Sequence, residues 1–291
     1  VSLSRPVPSN VRHIARREVK VSRDWIMRPL FGLLLAGIAV EADYGGTQYF
    51  ALFVGLGALL AVREWHRMVA TGTRSMRIES VLAGLSIALA LAAVTLKPHL
   101  WYGWGILGAG VVLVAALAAL RGEMPLWQGA GVLYIGGPAL ALVASRAIPP
   151  EGAAIVIGLF LVVWMTDTGA LVAGNLLKGP KLAPVLSPNK TWSGTAGGIL
   201  AAAVAEAIFV GLLGGSAWRA ALYGAGLSVV AQLGDLFESF VKRRFHKKDS
   251  GTMIPGHGGV LDRIDSMLAA SVGVAVLVLV LHVDALFGAS P

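Results

Sequence analysis

Apolar stretches of about 20 residues, the length that carries a helix across a bilayer core, recur along this chain and restrict what it can fold into. Nine are legible: 26–43, 47–64, 79–96, 100–120, 126–148, 152–172, 194–214, 217–235 and 264–284. The sixth is nearly unbroken from Ala153 to Met165 and ends on Asp167. Only 14% of the residues are charged, against about 25% in soluble domains. The expected fold is all-α: a polytopic transmembrane helical bundle of nine spans.

The cations orient the bundle. With the N-terminus in the cytoplasm, 24 Lys and Arg residues divide very unevenly. Only Lys97, Arg146 and Arg219 fall on the outer side, and the rest lie in the N-terminal arm and the inner loops, as the positive-inside rule requires. This predicts three regions: a basic cytoplasmic arm over 1–28, N-terminal transmembrane helices over 29–150, and a C-terminal transmembrane region over 151–291. The last carries cytoplasmic loops at 173–193 and 236–263. No signal peptide is expected, because the apolar run from Leu30 leads into Glu41 and Asp43 without a small-residue cleavage pattern. The net charge of +8 does not argue for nucleic acid, since basic loops beside spans serve orientation and contact with anionic lipid. The absence of cysteine excludes disulfides, thiolate metal sites and a cysteine nucleophile.

Chemistry concentrates where polar residues interrupt the last apolar runs. Asp235 and Glu238 are three apart, as are Asp262 and Asp265, so each pair shares a helix face. A returning hairpin would bring the pairs together. One acid at such a place reads as a solvated helix end. Four acids that would otherwise repel read as a divalent-metal site, and Mg2+ suits carboxylates combined with substrate phosphates. Asp167 is a third acidic position on the same face.

Pro255-Gly256-His257-Gly258-Gly259 precedes the ninth span. Its glycines can expose N–H groups at a helix start to an anion, although a simple turn explains glycine alone. Lys242, Arg243, Arg244, Lys247 and Lys248 form a basic run suited to lipid or phosphate. Arg263, between Asp262 and Asp265, is a candidate for pairing with an acid. In the earlier loop, Ser187-Pro188-Asn189-Lys190-Thr191 leads into a glycine-rich helix start. That suits a nucleotide but lacks the P-loop spacing.

The run Ser239-Phe240-Val241-Lys242-Arg243-Arg244 through Lys248-Asp249-Ser250-Gly251, His257-Gly258-Gly259 and Asp262-Arg263-Ile264-Asp265 resembles the signature of the phosphatidate cytidylyltransferases, the CDP-diacylglycerol synthases. The resemblance extends to Asp167-Thr168-Gly169-Ala170, Lys181-Leu182-Ala183-Pro184, Ser187-Pro188, Lys190-Thr191 and Gly234-Asp235-Leu236. It is strong over 160–270; upstream, Glu64-Trp65 is its one echo. Leu171 and Asn175 depart from it, standing where family members often have Tyr and a basic residue.

The resemblance implies an integral membrane enzyme of the bacterial inner membrane that joins CTP to phosphatidic acid with Mg2+. Charge considerations leave room for a second cation. The partners it implies are CTP, phosphatidic acid and membrane lipid, without nucleic acid, and a homodimer is compatible with it. In this reading Asp235, Asp262 and Asp265 hold the metal, with Glu238 and Asp167 in support. Lys242 and Arg243 serve catalysis by holding phosphate oxygens, and His257 binds phosphate or moves a proton. Ser187, Lys190, Thr191, Lys248, Asp249, Gly258, Gly259 and Arg263 contact substrate. The competing readings are a CTP-dependent polyprenol or phytol kinase and a membrane transporter. A transporter would place its charges near the bilayer midplane rather than at one face.

Overall fold

Runs rich in Ala, Leu and Val with few breakers form helices here, and short turns force consecutive helices to lie antiparallel. The computed structural model describes residues 34, 36–70, 76–96, 99–251, 253 and 258–280. The arm at 1–28 lies outside the described residues. A helical segment, α1 (residues 36–44), is followed by α2 (Thr47–Val69), α3 (Met76–Leu96), α4 (Leu100–Leu120), α5 (Pro125–Arg146) and α6 (Gly152–Leu177). A hairpin of β1 (Lys181–Ala183) and β2 (Ser187–Thr191) follows, then α7 (Trp192–Leu212), α8 (Ala217–Arg244) and α9 (Leu261–Ala275), which runs into a π-helical turn at Val276–Val280.

Six of these helices, α3 to α8, are long and apolar enough to cross a membrane. The protein is therefore a helical membrane protein. Among the described residues, α9 has 15 residues of α-helix before the π turn.

Successive helices pack in sequence, and α5 closes the bundle by touching α2, α3 and α9. Its span is 72% buried, against 22% for α7, so α5 is the central post and α7 faces outward. The α6–α7 pair is the most extensive. It relies on small residues: Gly194 lies against the carbonyl of Ala170, and Gly198 against that of Thr166.

Ion pairs confirm which helix ends share a side. Arg146 meets Asp43 at 2.6 Å at one end of the bundle, and Arg121 meets Glu79 at 3.1 Å at the other. Both matches agree with the alternation expected from the spans.

The structure corrects the bounds of both large loops. Loop 173–193 begins with the last turn of α6 and contains the hairpin, in which Lys181 faces Thr191, so the fold carries one small antiparallel element besides its helices. The α8 helix continues nine residues past position 235, through Arg244. Its continuation is favoured by the Glu238–Lys242 pair four residues apart and by basic residues in its last turn, which complement the helix dipole. Asp235 and Glu238 therefore lie within a helix, not at its end.

Candidate active site

Three helices and the hairpin deliver acids and lysines to one end of the bundle. On α8 the Lys242 ammonium donates to Glu238 Oε2 at 2.8 Å, and also reaches across to Asp262 Oδ1 on α9 at 2.8 Å. Lys190, at the end of β2, forms an ion pair with Asp235. Asp265 lies one turn beyond Asp262, beside the like charges of Asp235 and Glu238 and within reach of Lys242. Asp167, exposed on α6, is repelled by Asp265 and Asp235 and attracted by Lys190 and Arg263. The two acid pairs on α8 and α9 thus meet, and Asp167 joins them.

Gly234 makes this meeting possible. A Cβ there would stand 3.0 Å from the Asp265 carbonyl oxygen and collide with the Ala269 side chain. We expect Gly234→Val to separate α8 from α9 and cost about 1–3 kcal/mol by overpacking, read as a lower melting temperature in detergent. Adding Ala269→Gly should recover part of the loss.

Asp262 is committed to the loop that enters α9. Its carboxylate accepts from Gly259 N–H at 2.8 Å and from Ser250 N–H at 2.9 Å, besides Lys242. Burial alone would raise its pKa, but the Lys242 ammonium and these N–H groups overcome that and hold the carboxyl below its ordinary value. A depressed pKa means that this anchoring is complete above the ordinary carboxylate range and is lost only as pH falls below it.

The remaining residues occupy varied positions. Thr191 is the N-cap of α7, its Oγ1 accepting from Gly194 N–H at 3.1 Å, and Ser187 opens β2, half-buried. Exposed Arg243 donates to the Leu186 carbonyl at 3.5 Å and to that of Lys247 at 3.3 Å, which ties α8 to the hairpin. Lys248 and Asp249 are exposed in the loop after α8, and Arg263 is exposed on α9. Gly258 has φ +83 and sits against the Asp262 carboxylate. His257 lies outside the described residues.

Two side chains from the N-terminal half also enter this end of the bundle. Glu64, on α2, is buried and its Oε2 accepts from Leu261 N–H at 2.9 Å and from Ser250 Oγ at 3.2 Å. Tyr134, on α5, packs on Trp65 and Phe237 with ring centroids at 4.9 and 5.3 Å. Its hydroxyl is buried, has no hydrogen-bond partner, and lies in the field of Glu238, Asp265 and Asp235. Glu64 did carry a sequence signal, the Glu64-Trp65 echo of the family pattern, but no role followed from it. Tyr134 had none, because an aromatic inside a span reads as core.

Among the described residues, no three Asp, Glu or His side chains stand ready to share one ion. The donor set nevertheless fits a hard divalent cation. It is all oxygen, and Asp167, Asp235, Glu238, Asp262 and Asp265 outnumber the lysines paired with them. Glu238 Oε1 is buried without a hydrogen-bond partner.

Fold and site together define a class: a polytopic helical membrane protein with an acid-and-lysine site where several of its helices converge. The chain belongs to the cytidylyltransferase family, whose sequence pattern matches residues 26–281. The phosphatidate cytidylyltransferase of Brucella suis biovar 1 (strain 1330) is 51% identical over 140 residues, which cover 47% of this chain and 51% of the relative. That of Staphylococcus epidermidis (strain ATCC 12228 / FDA PCI 1200) is 48% identical over 121 residues, covering 40% and 46%. The chain spans about half the length of the curated relatives it matches.

Proposed function

We propose that this chain transfers the CMP group of CTP to phosphatidic acid, giving CDP-diacylglycerol and pyrophosphate. The observation that carries the reading is the convergence of Asp167, Asp235, Glu238 and Asp265 with Lys190 and Lys242 at one end of a membrane bundle. The relatives named phosphatidate cytidylyltransferase support it.

A phosphate oxygen of phosphatidic acid attacks the α-phosphorus of CTP, and the bond to the β-phosphate oxygen breaks with its electron pair leaving on pyrophosphate. The nucleophile is already anionic, so no strong base is required. What opposes the reaction is charge, and catalysis is mainly positioning and neutralisation. Asp235, Asp262, Asp265, Glu238 and Asp167 are the residues that would hold Mg2+, which when bound supplies positive charge to the triphosphate. Lys190, held at this end of the bundle by its ion pair with Asp235, would bind a phosphate oxygen of CTP. Lys242 holds Glu238 and Asp262 in place beside the reacting groups. Arg243 and Lys248 attract the incoming anions.

The distribution of cations along the sequence supports a site that faces the cytoplasm of a bacterial inner membrane, open to CTP and to the inner leaflet. This reading holds for a monomer or a homodimer.

The test is pyrophosphate release from CTP by the purified protein with Mg2+. Release that requires phosphatidic acid is expected, and none, or release indifferent to the lipid, contradicts the proposal. In the same assay Lys190→Ala should raise the KM for CTP about tenfold, the effect of one lost charge-assisted contact. An unchanged response to CTP would remove Lys190 from nucleotide binding.

A further inference from the structure

Glu64 belongs to α2, nearly 200 positions before the residues it touches. It is 1% exposed, and among the described residues no cation pairs with it. Burying a carboxylate in this way is costly unless its hydrogen bonds do something that an apolar side chain could not. Glu64 Oε2 accepts the N–H of Leu261, the first residue of α9, and the hydroxyl of Ser250. Val260, at the N-cap of α9, offers no side-chain cap, so Glu64 supplies from another helix what an N-cap residue supplies locally.

The same carboxylate accounts for two glycines of the signature. A Cβ on Gly251 would lie 2.6 Å from Glu64 Oε1, and one on Gly259 would collide with Glu64 Oε2 and Ser250 Oγ. These glycines are small because Glu64 fills the space beneath them. Asp262 holds the same loop from the other side, through Ser250 and Gly259 N–H. The start of α9 is therefore clamped between two carboxylates, one of them from the N-terminal half.

We propose that Glu64 is a positioning residue: by fixing where α9 begins, it sets the placement of Asp262 and Asp265 against α8. The kinetic consequence rests on the CMP-transfer reading, whereas the structural one does not.

The test uses the purified full chain with Glu64→Gln, Glu64→Asp and Glu64→Ala. If reach to Leu261 is what counts, Gln keeps most of the turnover, since its amide oxygen still accepts. Asp, one methylene short, and Ala lose about tenfold or more in kcat. The KM for phosphatidic acid should stay constant. Amide hydrogen exchange at Leu261 should accelerate in Asp and Ala, but not in Gln, while exchange within α6 and α7 is unchanged.

Full turnover in Glu64→Asp, or turnover lost in Gln but kept in Asp, would overturn the proposal. So would unchanged exchange at Leu261 in both Asp and Ala, whatever the activity. A wild-type protein that makes no CDP-diacylglycerol would sink the functional reading alone, and the exchange data would still decide the role of Glu64.

Discussion

We expect Asp265→Asn to lower the proposed CMP transfer by about 100-fold or more and to leave the protein folded. The magnitude is that of removing one preorganised electrostatic group from a site that works by charge neutralisation. Asp265 stands where acids from α8 and α6 approach the ninth helix, and Asp235, Glu238 and Asp167 all act on it or are acted on by it. In the absence of a cation these groups repel one another. An amide at 265 therefore relieves strain in the resting protein, and the melting temperature without Mg2+ should hold or rise. With Mg2+ and CTP present, the wild type should gain thermal stability through ligand binding, and Asp265→Asn should gain much less. Normal turnover by this variant would take Asp265 out of the site. A large drop in its melting temperature would make it a structural residue instead.

Lys242→Met carries the second large effect, and it acts on stability as well as turnover. The Lys242 ammonium is the shared partner of Glu238 and Asp262, at 2.8 Å from each. Its side chain is 13% exposed and those of its partners 0% and 7%, so solvent offers little compensation. Removing one member of a buried ionic cluster leaves uncompensated charge, at a cost of about 3 kcal/mol. Methionine keeps most of the apolar stem, which confines the change to the charge. Thermal melts in detergent should show the loss, and turnover should fall with it because Asp262 is freed. The double variant Lys242→Met/Glu238→Gln should recover much of the stability, since Glu238 is then neutral, without recovering activity. Equal melting temperatures for wild type and Lys242→Met would mean that the cluster has little to do with holding α8 to α9.

Much of this arrangement was legible in the residue order because it depends on local periods. Apolar length specified the helices and their alternation. The spacing of three within Asp235–Glu238 and within Asp262–Asp265 placed each pair on one face, and a return of the chain brought them together. Thr191 before Trp192-Ser193-Gly194 read as a helix start and is an N-cap.

What was hidden depends on contacts across the sequence. The hairpin at 181–191 is too short for a period to register. The extension of α8 to Arg244 follows from a pairing of Lys242 with residues on two helices. Glu64 and Tyr134 look like the end and the middle of ordinary spans, and only the packing of α2 and α5 against α9 gives them a place near the acids. Leu171 and Asn175, the departures from the family pattern, are exposed on α6, and neither makes a contact that explains the residue chosen.

In the proposed reaction the bond broken in CTP lies between the α- and β-phosphates, and the lipid keeps the nucleotide. CTP labelled separately at the α- and γ-phosphorus, incubated with phosphatidic acid, Mg2+ and the purified protein, tests this most directly. The α label should enter the lipid fraction, and the γ label should leave in pyrophosphate. Transfer of the γ label to lipid, with the α label left in CDP, would identify a kinase and contradict the proposed reaction.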